Sequence, residues 1–157
     1  MNNFGYVGFS REIDNVFQAR STYLYITEAE NVIMTCRVTP RPPGTIVPFE
    51  MGIRESGSFY RLADDEPVAD INTYTYARGY YERAMPLLAA GLGYYLKIWN
   101  IETAYCLYDV ANEKIKRAYM SIGFMLSDRF PEPIHFPTFY RQIGERLEPV
   151  RWQIMQW

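Results

Sequence analysis

The second half of the chain alternates period-two and helical patterning, and this constrains the fold more than any other feature. A β-rich run over residues 68–77 is followed by helical spacing over 84–99, a second β-rich run over 103–110 and helical spacing over 111–122. A strand, a crossover helix and a second strand make a βαβ unit, so the two runs are expected to lie parallel in a sheet covered by helices. In the first run Ile71, Thr73 and Thr75 are expected on one face, and Tyr74 and Tyr76 on the other. The 84–99 helix repeats Leu88, Leu92, Tyr95 and Trp99 at three- and four-residue steps. Pro86 is expected in its first turn, where a missing N–H costs little. Gly91 and Gly93 each weaken this helix by about 1 kcal/mol against Ala, so close packing on a neighbour is expected at both. The last helix turns Ile115, Ala118, Tyr119 and Ile122 inward and stops at Gly123.

Elsewhere, Ser10 heads a helical pattern over 10–20 with Ile13, Val16 and Phe17 inward. Runs at 22–27 and 32–39 flank Glu28-Ala29-Glu30-Asn31 as a hairpin, ended by Arg41-Pro42-Pro43-Gly44. Residues 45–67 are loop-rich, with one short strand near Phe59-Tyr60-Arg61-Leu62. Residues 124–126 resume extended structure, and Pro131, Pro133 and Pro137 mark an excursion. A helix over 139–147 and a closing strand over 150–157 complete the expectation. The chain of 157 residues fits one domain, residues 1–157, of α+β class with a mixed central sheet.

Composition excludes several functions. Sixteen basic against eighteen acidic side chains leave a net charge of −2, unlike the cationic footprint of a nonspecific nucleic-acid binder. Cys36 and Cys106 lie in apolar runs outside any CxxC pair, so they are expected as reduced core thiols and not as zinc ligands. His135 is the single histidine, which leaves Ser-His-Asp chemistry and His-rich metal sites without material. No apolar run approaches the ~20 residues of a membrane span, and the N-terminus lacks a signal-peptide pattern, so a cytoplasmic protein without a metal is expected.

Strand 68–77, the Arg78-Gly79 turn, helix 84–99, strand 103–110, Asn112, Ala118-Tyr119 and Gly123-Phe124 together resemble the GNAT acyl-CoA N-acyltransferase superfamily in their order. The family's second helix commonly carries Asn-x-x-Ala-x-x-x-Tyr-x-x-x-Gly-Phe; here Asn112, Tyr119, Gly123 and Phe124 match, with the Ala displaced to 118. Residues 32–40 and Val47-Pro48-Phe49-Glu50 are similar to a narrower branch, the N-acyl amino acid synthases and acyl-homoserine-lactone autoinducer synthases. Arg37 matches that branch's strand-end arginine. Asp70 stands where it places the Glu of a Glu-x-x-Arg pattern, whereas no Arg follows in Asp70-Ile71-Asn72-Thr73.

The resemblance implies a GNAT-like sheet with helices on both faces, transferring an acyl group from a pantetheine thioester to a primary amine such as an amino acid. No permanently bound cofactor is implied; the co-substrate is acyl-CoA or the phosphopantetheine of an acyl carrier protein. The expected contacts to it are Thr73, Tyr74, Thr75 and Tyr76 on a strand that splays from its neighbour, with Asn112 beyond. Arg78, Gly79, Tyr80, Tyr81 and Arg83 form the phosphate turn. Tyr81 and Arg83 occupy places where the family has small residues, which favours a carrier protein or an ordinary turn in a non-catalytic sensing or interaction module. Tyr119 is the expected acid for the leaving thiolate, Asp70 or Glu50 the expected base, and Arg37 the expected clamp for an acceptor carboxylate. Each also has a plain structural role open to it: a core tyrosine, a loop or strand-end carboxylate, an ion-paired arginine. The rings and methionines of the closing third suit an acyl tunnel, but a large core gives the same composition and is the preferred reading.

Overall fold

The computed structural model describes residues 6–8 and 11–157, without the side chains of residues 11–13 and 73. The expected Ser10 cap and the inward Ile13 therefore lie outside the described residues, as does the side chain of Thr73. Strand β1 (Tyr6–Val7) is followed by helix α1 (Arg11–Gln18), which buries Phe17 but leaves Val16 67% exposed, against expectation. Strands β2 (Thr22–Glu28) and β3 (Asn31–Pro40) form the expected hairpin, with Glu28 opposite Asn31 across the turn. In the loop-rich stretch a 3-10 turn over Pro48–Met51 and strand β4 (Ile53–Arg54) replace the expected strand, and Phe59 keeps a single bridge to Ile53.

Strand β5 (Val68–Tyr76) enters the sheet between β3 and strand β6 (Thr103–Asp109). Between them runs helix α2 (Tyr81–Ile98), which starts earlier than its spacing suggested. Pro86 consequently lies beyond the first turn, where its missing N–H removes a helical hydrogen bond. The helix ends in a Schellman arrangement: Asn100 takes a φ of 52°, its N–H donates to Lys97 O at 3.2 Å, and Ile101 N–H donates to Leu96 O at 2.9 Å. Helix α3 (Glu113–Ser121) is capped by Asn112, whose side chain accepts from Ile115 N–H at 3.2 Å. It stops at Gly123, where φ is +101° and a Cβ would meet the Trp157 indole nitrogen at 2.7 Å, so both backbone and packing demand glycine.

Short strands β7 (Met125–Leu126) and β8 (Ile134–His135) lead to a second correction. The expected 139–147 helix is a hairpin of β9 (Tyr140–Ile143) and β10 (Arg146–Pro149). Ile143 pairs with Arg146 across Gly144-Glu145, and Gly144 has φ +61°, which a two-residue hairpin turn requires at its first central position. Strand β11 (Trp152–Gln156) closes the sheet against β6, as expected.

The main sheet has eight strands in the order β2-β3-β5-β6-β11-β8-β4, with β7 beside β11; β1, β9 and β10 make a separate three-stranded sheet. Among the described residues only the β5–β6 pair is parallel. Ala104, Cys106 and Tyr108 face the core under α2 and α3, while Tyr105 and Leu107 face a second core containing Phe49, Phe130 and Ile154. Helix α1 lies on that second side, where Asp14 reaches Arg37 of β3. Cys36 and Cys106 are free thiols, both fully buried.

Candidate active site in the gap between two parallel strands

Parallel pairing of β5 with β6 runs through Val68/Thr103, Ala69/Ala104, Asp70/Tyr105 and Ile71/Cys106, and then stops. Its cause is local. On the other flank Thr35 pairs with Thr75 but Arg37 pairs with Asn72, so two steps along β3 oppose three along β5. One extra residue makes a β-bulge, which bends the bulged strand and strengthens its twist. The strict alternation expected for β5 is therefore broken. Asp70, Asn72 and Thr75 share a face with Thr39, Arg37 and Thr35, whereas Ile71, Tyr74 and Tyr76 pack into the core on the helix side. Past Ile71 the β5 edge that faces β6 is open.

A cavity of about 600 Å³ fills this gap and passes through the sheet. On the helix side its walls include Tyr74, Tyr108, Asn112, Ile115 and Tyr119. On the opposite side they include Asp70, Asn72, Arg37, Phe17 and Leu107.

Tyr119 and Asp70 are thus brought to one cavity from its two sides. Tyr119 is 6% exposed, and its ring lies 6.2 Å from Tyr74 and 5.5 Å from Phe124. Burial pushes its phenol well above the usual range, so the hydroxyl stays protonated. Asp70 is 1% exposed, and burial raises its carboxyl from 3.8 to about 6, against the opposing effects of the Asn72 amide and the Arg37 and Arg20 charges. Asn72 donates to Asp70, and Arg37 Nε donates to Asn72 Oδ1 at 2.7 Å. Arg37 Nη1 meets Asp14 at 2.7 Å, completing a polar chain from α1 through β3 to the floor of the cavity.

Other expected residues are placed differently. Glu50 does not line the cavity: it is 1% exposed, with Oε2 accepting from Val47 N–H at 2.9 Å and Oε1 from Leu62 N–H at 3.0 Å. Its ionic partner is Arg41 at 3.3 Å, so this carboxylate folds the 45–67 loop. Arg37 lines the cavity with its guanidinium already shared between Asp14 and Asn72, not with Glu50 or Asp70. Thr75 bonds to the Thr35 hydroxyl at 2.8 Å, and Tyr76 packs edge-on against Tyr81 at 5.2 Å. Arg78 and Gly79 are exposed at the turn into α2. Arg83 lies over the Tyr80 ring at 4.9 Å and pairs with Glu28 at 3.0 Å.

Several cavity residues carried no recognisable sequence signal. Asp14 sits in a short polar helix, Asn72 is visible only as the place of a missing arginine, and Phe17, Met51 and Leu107 look like ordinary core. Asp109 is held by the Tyr6 hydroxyl at 2.7 Å and by Arg141, bringing β1 and β9 over one wall. Among the described residues no group of three or more His, Cys, Asp or Glu side chains could hold a metal ion. Among them, too, no helix is long and apolar enough to cross a membrane.

No protein-family model matches the chain, and no curated protein matches it. Solved structures do. A GNAT family acetyltransferase from Elizabethkingia anophelis with acetyl-CoA bound matches at 11% identity and TM-score 0.58, over 94% of this chain and 82% of that one. The GNAT family acetyltransferase from Streptococcus pneumoniae matches at 11% identity and TM-score 0.55, over 93% and 73%. Spermidine N-acetyltransferase from Vibrio cholerae, in complex with CoA and spermine, matches at 13% identity and TM-score 0.52, over 93% and 73%. At these identities the likeness is one of fold. The chain has the GNAT fold expected from its element order.

Proposed function

We propose that this protein is an N-acyltransferase that moves an acyl group from a pantetheine thioester to a primary amine. The observation that carries this is the gap opened by the β5 bulge, with a buried phenol on one side and a buried carboxylate on the other. Acyl transfer to an amine needs the thioester held, the ammonium deprotonated, the oxyanion stabilised and the thiolate protonated. The open edge of β5 beyond Ile71 offers backbone groups to a pantetheine arm lying in the gap, and the uncapped α2 N-terminus with Arg78 suits its phosphate. Arg83, paired with Glu28, contributes less. Acyl-CoA is the donor with support from the fold relatives, one of which is described with acetyl-CoA and another with CoA. A carrier protein's phosphopantetheine presents the same arm.

In this mechanism Asp70, ionised above about pH 6, takes one proton from the acceptor ammonium through a water. The amine nitrogen attacks the thioester carbon, and backbone N–H groups along β5 steady the oxyanion. When the C–S bond breaks, the electron pair leaves on sulfur and Tyr119 gives it a proton. The second proton lost by the new amide nitrogen restores the phenol. Burial that lifts Tyr119 also destabilises the thiolate, so their proton affinities rise together. Glu50 has no part.

The test is incubation of the purified protein with acetyl- to long-chain acyl-CoA, or acylated carrier protein, and a pool of amines. The expected outcome is release of free thiol together with an N-acyl product of matching mass. Donor binding without product from any donor–amine pair would instead identify a non-catalytic module on this fold.

A further inference from the structure

The cavity on the Asp70 side of the sheet is chemically lopsided. Among the described residues Arg37 is the only cation in its wall, and Asp14 and Asn72 already occupy it. Asp109 is neutralised by Arg141 and bonded by Tyr6. Asp70 is the exception: among the described residues it makes no ion pair, and its hydrogen bond comes from a neutral amide. Elsewhere the cavity is lined largely by apolar groups, Phe17, Met51, Leu107, Phe136, Phe139 and Trp152, with Trp152 four residues along β6 from the level of Asp70. An ammonium reaching Asp70 must enter this chamber, so whatever it is attached to lies against those rings. A carboxylate brought in beside ionised Asp70 would meet a like charge, while Arg37, the cation in the wall among the described residues, is already paired with Asp14.

We propose that the acceptor is a primary amine on an apolar, ring-bearing body that lacks a carboxylate. This rests on the acyltransferase function above, and it replaces the amino-acid acceptor with Arg37 as clamp. The ammonium gains the attraction of ionised Asp70 across the water between them, and the body gains the transfer free energy of the buried ring. A polyamine fits poorly, because its further ammonium groups would be desolvated against the same rings.

Binding is measured calorimetrically with phenethylamine, L-phenylalanine and spermidine, of which the first two differ only in the carboxylate. Phenethylamine is expected to bind at least about tenfold more tightly than either of the others. Asp70→Asn is expected to weaken phenethylamine binding by at least about tenfold. Phe136→Ser is expected to weaken phenethylamine while leaving the affinity for CoA unchanged. Equal or tighter binding of phenylalanine or spermidine overturns the proposal. So does a rate with a small amine such as methylamine that climbs with acyl-chain length, which would put the acyl tail in this chamber. If phenethylamine is preferred but no acyl donor yields product, the acyltransferase function falls and the amine site stands. If product forms fastest on amino acids or polyamines, the reverse holds.

Discussion

In the proposed mechanism one physical cause, burial, prepares Tyr119 and Asp70 for opposite tasks. Lifting a phenol keeps a proton in place to be given; lifting a carboxylate to about 6 leaves it ionised at neutral pH yet basic enough to receive one. Tyr119→Phe keeps the ring that packs on Phe124 and Tyr74 and removes only the hydroxyl. It is expected to cut turnover roughly 10²-fold with little change in amine affinity, as read from initial thiol-release rates; near-normal rates would remove Tyr119 from the mechanism. Tyr119 was singled out through the GNAT-like element order and Asp70 through the resemblance to the autoinducer synthase branch, and both line one cavity. Glu50 was misassigned for an equally physical reason. A carboxylate whose lone pairs go to backbone N–H groups within a 3-10 turn looks no different in sequence from one awaiting a substrate.

At the scale of elements, period and spacing found the βαβα half correctly and failed where two patterns coincide. Tyr140, Ile143 and Leu147 fall at helical intervals, yet the segment forms a hairpin because Gly144 supplies the turn and β1 lends β9 a partner. Long-range pairing overrode local spacing. The bulge in β5 left no trace in composition, although it decides whether the sheet has a gap. Helix α2 offers a sharper test. Close packing holds at Gly93, where a Cβ would meet Trp157 at 3.3 Å, but nothing lies within 4 Å at Gly91. Gly91→Ala is therefore expected to stabilise the protein by about 1 kcal/mol, raising Tm by about 2–4 °C. Gly93→Ala is expected to gain less. Equal effects in differential scanning calorimetry would contradict the packing difference.

For the whole molecule, Asp70 makes stability depend on pH. Its carboxyl is raised from 3.8 to about 6 on folding, so its contribution is fully present below about pH 4 and is lost as the pH climbs through 6. At neutral pH the ionised group costs on the order of 3 kcal/mol. Asp70→Asn is expected to be inactive and yet more stable than the parent at pH 7.5, with the difference vanishing near pH 4. Denaturant melts at both pH values measure this, and a variant less stable at pH 7.5 would show that Asp70 is not held at a cost.

One consequence follows from the way β1 is tied down. The Tyr6 hydroxyl spans 103 residues of sequence to reach Asp109, and Tyr6 itself pairs with Arg141. The cavity is thus roofed by segments more than a hundred residues apart in sequence, and loop closure over such separations is slow and entropically unfavourable. During synthesis the parallel strands and their helices can collapse first, but the roof must wait until β9 has been made. Competence to bind an acceptor is then a late event in maturation, and native-state hydrogen exchange should find β1 and β9 opening well before β5 and β6.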